Sequence, residues 1–211
     1  GIVTAPTGFL KEVRALCDRY DVLLILDEVA TGFGRTGTLF ACEQEEVEPD
    51  ILCLAKGITG GYLPLAATLT THKTYEAFLG KQEELKTFFH GHTYTGNPLA
   101  CAVAIANLKI FEEEKTMERV QKRIKFFQEQ LQRFEDLPAT GEVRQCGMMA
   151  GIELVEQNVS HPIVLKARER GLILRPLGPV IVLMPPLCVN EQELEQICEI
   201  TFASIREVTG G

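Results

Sequence analysis

Tryptophan is absent from the 211-residue chain, and only four tyrosines are present. Its longest apolar runs fall well short of the roughly 18 residues that a membrane-spanning helix requires. Basic residues are in deficit, because 21 lysines and arginines face 29 aspartates and glutamates and leave a formal net charge of −8. A general nucleic-acid-binding protein needs a basic surface, so this charge argues against that class. We expect a soluble, cytoplasmic protein with neither a membrane nor a nucleic-acid partner.

The seven cysteines form no recognisable pattern. Their number is odd and no CxxC pair occurs, which argues against a disulfide framework. Most lie within apolar runs, such as Cys53 in LCLA and Cys101 in LACAVA. The sequence therefore predicts reduced thiols that are mostly buried, as is usual in cytosolic proteins.

Two continuous apolar runs, residues 22–26 and 51–55, predict strands. A strand that is apolar at every position is typical of a parallel sheet buried on both faces. A third strand is predicted over residues 65–69. Alternation of such strands with helices places the chain in the α/β class.

Helices are predicted around these strands. One begins near Thr7, and another begins at Asn97, where an Asn cap precedes a proline in the first helical turn. The second of these is apolar nearly all round, so we expect it to be buried. A third helix covers about residues 117–135. Its apolar face consists of Val120, Ile124, Phe127, Leu131 and Phe134.

The pattern changes after residue 138. Short strands are predicted at 143–146, 149–155, 172–174 and 180–184, with helices near 162–170 and from Asn190, where Glu193 completes a capping box. We therefore expect two domains. Residues 1–137 would form an α/β domain with a mostly parallel sheet, and residues 138–211 would form a small α+β domain.

Charged side chains follow both apolar strands, at the point where each strand ends. Asp27 follows the first and Lys56 follows the second. Ligands of parallel α/β sheets bind at the carboxyl ends of the strands. A partly desolvated lysine can form a Schiff base with an aldehyde, and pyridoxal phosphate requires such a lysine together with an acid at its ring nitrogen. A structural salt bridge, or a lysine that simply reaches solvent, is the alternative.

Two further groups could bind anions. Residues 91–93 (GHT) offer backbone N–H groups and a hydroxyl to a phosphate. His90 and His92 also suggest a metal, but no third ligand is near in sequence, so we expect none. Arg175 could hold a carboxylate through its guanidinium fork, although a surface salt bridge is the simpler interpretation.

Three segments together resemble the class-III aminotransferases, which use pyridoxal phosphate. Residues 26–37 (LDEVATGFGRTG) resemble their acid-bearing motif, and residues 49–65 resemble the segment with the reactive lysine. Residues 90–100 (HGHTYTGNPLA) resemble their phosphate-contacting segment. The resemblance extends over essentially the whole chain.

The resemblance implies a role for each matching residue. Asp27 would pair with the pyridine nitrogen of the cofactor, and Val29 would pack on its ring. Lys56 would hold the cofactor and move the proton during the reaction. His92 and Thr93 would contact the cofactor phosphate of a partner subunit, which implies a homodimer with shared active sites.

The resemblance also bears on the substrate. Gly91 would line the substrate pocket, and Arg175 would bind the carboxylate of an oxo-acid. Residues 174–178 (LRPLG) and 183–187 (LMPPL) favour the branch of the family that acts in biotin synthesis, with S-adenosylmethionine or lysine as the amino donor. Members that act on an ω-amino acid or ornithine are the alternative.

Members of the family are much longer than this chain. The resemblance therefore implies that the chain is the carboxyl-terminal part of such an enzyme, with residues 1–137 the carboxyl-terminal part of its cofactor-binding large domain. It would lack the Gly-Ser phosphate loop and the aromatic ring that stacks on the cofactor. On its own it is expected to bind pyridoxal phosphate weakly and to lack activity. A non-enzymatic role as a folding or dimerisation module is a third hypothesis.

Overall fold

The computed structural model describes residues 1–210 as two compact units. The amino-terminal unit comprises Pro6–Phe33 and Thr38–Thr116. The carboxyl-terminal unit comprises Gly1–Ala5, Gly34–Gly37 and the residues from Met117 onward. Both units combine helices with a sheet, which confirms the α/β prediction.

A three-stranded sheet organises the amino-terminal unit, in the order β1 (Ile25–Asp27), β2 (Ile51–Leu54), β3 (Ala67–Thr70). Strands β1 and β2 are parallel, with Asp27 opposite Cys53, whereas β3 is antiparallel to β2. The predicted parallel pairing is thus confirmed for the first two strands.

The helices of this unit are α1 (Phe9–Tyr20), α2 (His72–Glu76) and α3 (Pro98–Glu113). Single 3-10 turns lie at Ala41–Glu45, Lys56–Thr59 and Gln82–Glu84. Helix α3 begins as predicted, because the side-chain oxygen of Asn97 accepts hydrogen bonds from the backbone N–H groups of Leu99 (2.9 Å) and Ala100 (3.3 Å).

Burial in this unit differs from the prediction. Ile25 of β1 is 58% exposed, and only Ala100 and Ala104 of α3 are buried. The expectation that residues 22–26 are buried on both faces was therefore wrong, because Leu24 is the one residue of this run that is buried, and so was the expectation that α3 is buried. The physical reason is that β1 is an edge strand of a three-stranded sheet, and too few layers pack against it within residues 1–210.

The start of β1 is held by a polar contact. The Asp50 carboxylate, just before β2, accepts hydrogen bonds from the backbone N–H of Leu24 (2.8 Å) and from the guanidinium of Arg14 on α1 (2.8 Å). These two donors, the Leu24 N–H above all, hold the pKa of Asp50 below its ordinary value. Helix α1 and strands β1 and β2 are thereby tied together.

The sheet of the carboxyl-terminal unit has four strands. Their order is β4 (Thr140–Cys146), β5 (Met149–Leu154), β7 (Val180–Leu183), β6 (Arg175–Leu177), and every neighbouring pair is antiparallel. The strand predicted over residues 172–174 in fact begins at Arg175.

The helices of this unit are α4 (Thr116–Leu131), α5 (Ser160–Glu169) and α6 (Glu191–Thr209), with a 3-10 turn at Gln132–Phe134. The capping box at the start of α6 is confirmed. The Asn190 side chain accepts from the N–H of Glu193 (2.8 Å), and the N–H of Asn190 donates to the Glu193 carboxylate (2.9 Å).

A large apolar core fills this unit. All four residues of β7 are buried, and Phe134 packs edge-on against Phe202 at a centroid distance of 5.7 Å. Helix α4 contributes Val120, Phe127 and Leu131 to the same core. The domain boundary predicted at residue 138 therefore lies inside this unit, because α4 buries its apolar face in the core of the strands that follow.

All seven cysteines are free. Only Cys42 and Cys198 are buried, so the expectation of mostly buried thiols was wrong. Burial raises the pKa of the Cys198 thiol to about 12, which keeps it protonated and unreactive. Among the described helices, none has the length and apolar composition needed to cross a membrane.

Removing a core side chain should destabilise the carboxyl-terminal unit. Ile181 of β7 is fully buried, so Ile181→Ala should lower the free energy of unfolding by about 2–5 kcal/mol. Ile173 is 81% exposed, and Ile173→Ala should change it by less than about 0.5 kcal/mol. Urea denaturation of both variants measures the difference, and equal losses would contradict the assigned core.

The Asp50 contact should make stability sensitive to acid. A carboxylate whose pKa is lowered by folding stabilises the protein above its ordinary pKa, near 3.8, and this contribution is lost as the pH falls through the folded value. Asp50→Asn should therefore reduce the loss of unfolding free energy between pH 7 and pH 3. Asp50→Ala should cost about 1.5–3 kcal/mol at pH 7.

The matched control is the exposed neighbour Glu48. Glu48→Gln should leave the acid dependence of unfolding unchanged. If Asp50→Asn and the wild type lost the same unfolding free energy on acidification, the carboxylate would not be the group that senses pH.

Candidate active site

The parallel pairing of β1 and β2 brings two predicted site residues to one edge of the sheet. Asp27 ends β1 and lies opposite Cys53, and Lys56 follows the end of β2. Since parallel strands end at the same edge, Asp27 and Lys56 both lie at the carboxyl-terminal edge of this strand pair. Both side chains are exposed, and Val29 is half-buried beside Asp27.

Neither charge is neutralised by a neighbour. Within residues 1–210, no ion pair involves Asp27 or Lys56, and one Asp27 oxygen accepts only the backbone N–H of Val29 (3.0 Å). A structural salt bridge between the two, one alternative raised by the sequence, is therefore not formed. Both groups are available to a ligand.

Lys56 occupies an unusual backbone conformation. Its φ of +46° lies in the left-handed region, which non-glycine residues adopt rarely and at a cost of about 1–3 kcal/mol. It opens the 3-10 turn Lys56–Thr59, where the buried Thr59 hydroxyl donates to the carbonyl of Leu63 (2.6 Å). A Cβ at Gly57 would lie 2.8 Å from the Cβ of Phe33, so only glycine fits there.

Glu28 supports the position of Asp27. It is 3% exposed, and its carboxylate accepts the backbone N–H groups of Ala41 (2.7 Å) and Cys42 (2.8 Å). The hydroxyl of Thr31 also donates to it (3.0 Å). A buried carboxylate is costly unless it is hydrogen-bonded, so these donors fix its place.

Sequence reasoning did not assign this role to Glu28. The available signal was a second acid directly after a buried strand. Adjacent strand residues point to opposite faces, so one of two consecutive acids must point inward and needs donors there. Glu28 also donates its own N–H to the carbonyl of Cys53 (2.9 Å), which extends the pairing of β1 with β2.

The predicted phosphate-binding residues lie on an exposed loop of the same unit. Gly91, His92 and Thr93 are all exposed. The Nδ1 atom of His92 accepts the N–H of Tyr94 (3.1 Å), and the N–H of His92 donates to the hydroxyl of Thr95 (3.0 Å). These local bonds shape the loop, and no hydrogen bond within residues 1–210 joins it to Asp27 or Lys56.

Arg175 lies in the carboxyl-terminal unit. It is the first residue of β6 and pairs with Val182 of β7. Its side chain is exposed and forms no ion pair within residues 1–210, so the surface salt bridge considered from sequence is not formed. No group of three or more His, Cys, Asp and Glu side chains in the described part of the chain is placed to hold a metal ion.

A cavity of about 520 Å³ lies elsewhere in the carboxyl-terminal unit. It is lined by Arg119, Lys122 and Arg123 of α4 and by residues 190–192 at the start of α6. None of the predicted site residues lines it.

Known proteins resemble this chain along nearly its whole length. It is 54% identical over 219 residues to adenosylmethionine-8-amino-7-oxononanoate aminotransferase of Aquifex aeolicus, an alignment covering 99% of this chain and 48% of that protein. The Geobacter sulfurreducens protein of the same name is 51% identical over 222 residues, covering 100% and 49%. The chain therefore spans about half the length of the curated relatives it matches.

Solved structures agree with the sequence comparison. The crystal structure of adenosylmethionine-8-amino-7-oxononanoate aminotransferase from Methanocaldococcus jannaschii superposes with a TM-score of 0.95 at 46% identity, covering 99% of this chain and 51% of that one. The family model "Aminotransferase class-III" matches residues 1–205. The resemblance drawn from the sequence motifs is confirmed, and the chain belongs to the class-III aminotransferase family.

Proposed function

We propose that this chain carries the lysine and the ring acid of a pyridoxal-phosphate-dependent aminotransferase that converts 8-amino-7-oxononanoate to 7,8-diaminononanoate in biotin synthesis. The observation that carries the proposal is the placement of the unpaired Asp27 and Lys56 at one edge of the parallel strand pair. Support for the substrate comes from the names of relatives that are 51–54% identical.

The residues at this edge fit the cofactor. When bound, pyridoxal phosphate supplies an electron sink that stabilises negative charge at the substrate carbon. The Asp27 carboxylate faces outward and can hold a protonated ring nitrogen, and the Val29 N–H fixes one of its oxygens. Lys56 carries an amine without an ion-pair partner, which can take a proton from the substrate carbon and return it.

The loop at residues 91–93 fits a phosphate. Because Nδ1 of His92 accepts a hydrogen bond from Tyr94, the neutral imidazole carries its proton on Nε2, which can then donate to an anion. The exposed Thr93 hydroxyl can donate as well, and the absence of a side chain at Gly91 leaves room for substrate. We propose that this loop serves the active site of a partner subunit in a cytoplasmic homodimer.

Arg175 is proposed to bind the carboxylate of the oxo-acid. An arginine fork makes two parallel hydrogen bonds to a carboxylate, and the guanidinium here has no ion-pair partner within residues 1–210 that would compete. S-adenosylmethionine is the proposed amino donor, in agreement with the names of the relatives.

The proposal predicts that amino transfer depends on Lys56. Because the chain spans half the length of its relatives, the test uses a chimera in which it replaces the matching half of the Aquifex aeolicus aminotransferase. The chimera should transfer an amino group from S-adenosylmethionine or lysine to 8-amino-7-oxononanoate. Lys56→Ala should lower kcat by at least about 10²–10⁴-fold, since the group that moves the proton is lost.

The exposed Lys73 provides the control, and Lys73→Ala should leave turnover unchanged. Undiminished turnover in Lys56→Ala would overturn the proposed role of the lysine. Turnover with ornithine or 4-aminobutyrate, but not with 8-amino-7-oxononanoate, would overturn the proposed substrate and favour another branch of the family.

Replacing Arg175 should weaken only the binding of the substrate through its carboxylate. In the chimera, Arg175→Ala should raise the KM for 8-amino-7-oxononanoate by about 10- to 100-fold, the loss expected for charge-assisted hydrogen bonds of about 1.5–3 kcal/mol. The exposed Arg168→Ala in the same unit is the control and should change it little. If Arg175→Ala raised the KM for a carboxamide analogue by the same factor as the KM for 8-amino-7-oxononanoate, a contact between Arg175 and the carboxylate would be refuted.

A further inference from the structure

One side chain of α3 contacts the turn that carries Lys56. The side-chain nitrogen of Asn107 donates to the carbonyl of Gly57 (2.9 Å) and to the carbonyl of Ile58 (3.2 Å). Both N–H groups of a single amide are thereby committed to consecutive carbonyls that lie about fifty residues away in sequence. Asn107 is half-buried, so water competes only partly for these bonds.

The turn is also held from other directions. The carbonyl of Gly57 accepts the N–H of Gly60 (3.1 Å), which closes the 3-10 turn. Phe33 packs so tightly on Gly57 that no Cβ fits, and its ring contacts Phe111 of α3 at a centroid distance of 6.5 Å. Helix α3 thus reaches the turn twice, once through an amide and once through an aromatic pair.

These contacts stabilise a turn that begins with a strained lysine backbone. A left-handed φ of +46° at a lysine persists only when the surroundings determine it. The two carbonyls bound by Asn107 belong to the two residues that follow Lys56, so these hydrogen bonds hold the 57–58 and 58–59 peptide units of the turn and limit how far the backbone at Lys56 can relax. A strained lysine backbone at a strand end has no evident role in packing, because its side chain is exposed.

We propose that Asn107 is a positioning residue for Lys56. It acts through the turn Lys56–Thr59 and touches neither cofactor nor substrate. The inference rests on the proposed function, since it assumes that Lys56 is the residue that reacts with the cofactor aldehyde.

Asn107→Asp separates positioning from packing. Aspartate has the shape of asparagine and a similar helix propensity, but its carboxylate turns an oxygen instead of an N–H toward the two carbonyls. Asn107→Leu keeps the branch at Cγ, is larger than asparagine, and removes the donors without adding a charge. Ala104→Gly is the matched control, because it weakens the same helix at a buried site one turn earlier and leaves both hydrogen bonds in place.

The principal measurement is where pyridoxal phosphate attaches. The chimera is incubated with equimolar pyridoxal phosphate, and borohydride fixes the reversible lysine adduct as a secondary amine. Mass spectrometry of the peptides then gives the share of label on Lys56 among all lysines. Asn107→Asp should lower that share at least about tenfold, Asn107→Leu should lower it less, and Ala104→Gly should keep it within about twofold of wild type.

A second measurement examines the turn without cofactor. In the isotopically labelled chain, the carbonyl ¹³C shifts of Gly57 and Ile58 should change in both Asn107 variants and stay unchanged in Ala104→Gly. Such a pattern would show that only the Asn107 variants remove the two hydrogen bonds, and unchanged shifts in both Asn107 variants would contradict the bonds on which the inference rests.

The outcomes distinguish the inference from the function on which it rests. Equal labelling of Lys56 in wild type and Asn107→Asp, with shifted carbonyl resonances, would overturn the positioning role and leave the proposed function intact. Loss of labelling in Ala104→Gly as large as in Asn107→Asp would show that general weakening of α3 suffices, and would also overturn it. No preference for Lys56 in the unsubstituted chimera would refute the proposed function, and the inference with it.

Discussion

The parallel pairing of two short strands brings the proposed lysine and ring acid of this chain to the same edge of one sheet. With Asp27 opposite Cys53, Asp27 and Lys56 both lie at the edge where β1 and β2 end. A slip of one residue would exchange the faces on which consecutive side chains lie, so Asp27 would turn inward and Glu28 outward. The buried bonds of Glu28 to Ala41 and Cys42 oppose that slip, because an outward Glu28 would leave both N–H groups without their acceptor. The register of β1 and the proposed cofactor contact therefore depend on the same two consecutive acids, Asp27 and Glu28.

Sequence alone predicted the features that depend on local pattern. The apolar run at 51–55, the amphipathic face of α4 and the capping box at Asn190 each follow from spacing within one element. Burial of β1 and α3 could not be predicted in the same way. An apolar run indicates that a strand is suited to burial, but what covers it depends on other parts of the fold. The chain spans about half the length of its relatives, and Ile25 remains 58% exposed.

The supporting residues of the site were missed for a related reason. Asp27 and Lys56 can be recognised in the sequence as charges at strand ends. Glu28 and Asn107 cannot, because the backbone groups that their side chains bind are distant in sequence. Asn107 is an ordinary polar residue in an apolar helix until the fold brings it to the carbonyls after Lys56. Its only signal was an amide at a position where a side chain on that face would otherwise be apolar.

The two units are stabilised by different kinds of interaction. The main apolar cluster lies within residues 120–205, in the carboxyl-terminal unit, where burial of side chains such as Phe127 and Leu194 dominates stability. The amino-terminal unit buries few large apolar side chains and relies on directional polar contacts at Asp50, Glu28 and Asn107. Apolar burial is non-directional, whereas a hydrogen bond fixes both distance and angle. The proposed site requires one carboxylate and one amine in a set relation, so it would gain more from such contacts than from a larger core and would be more sensitive to the loss of a single donor or acceptor.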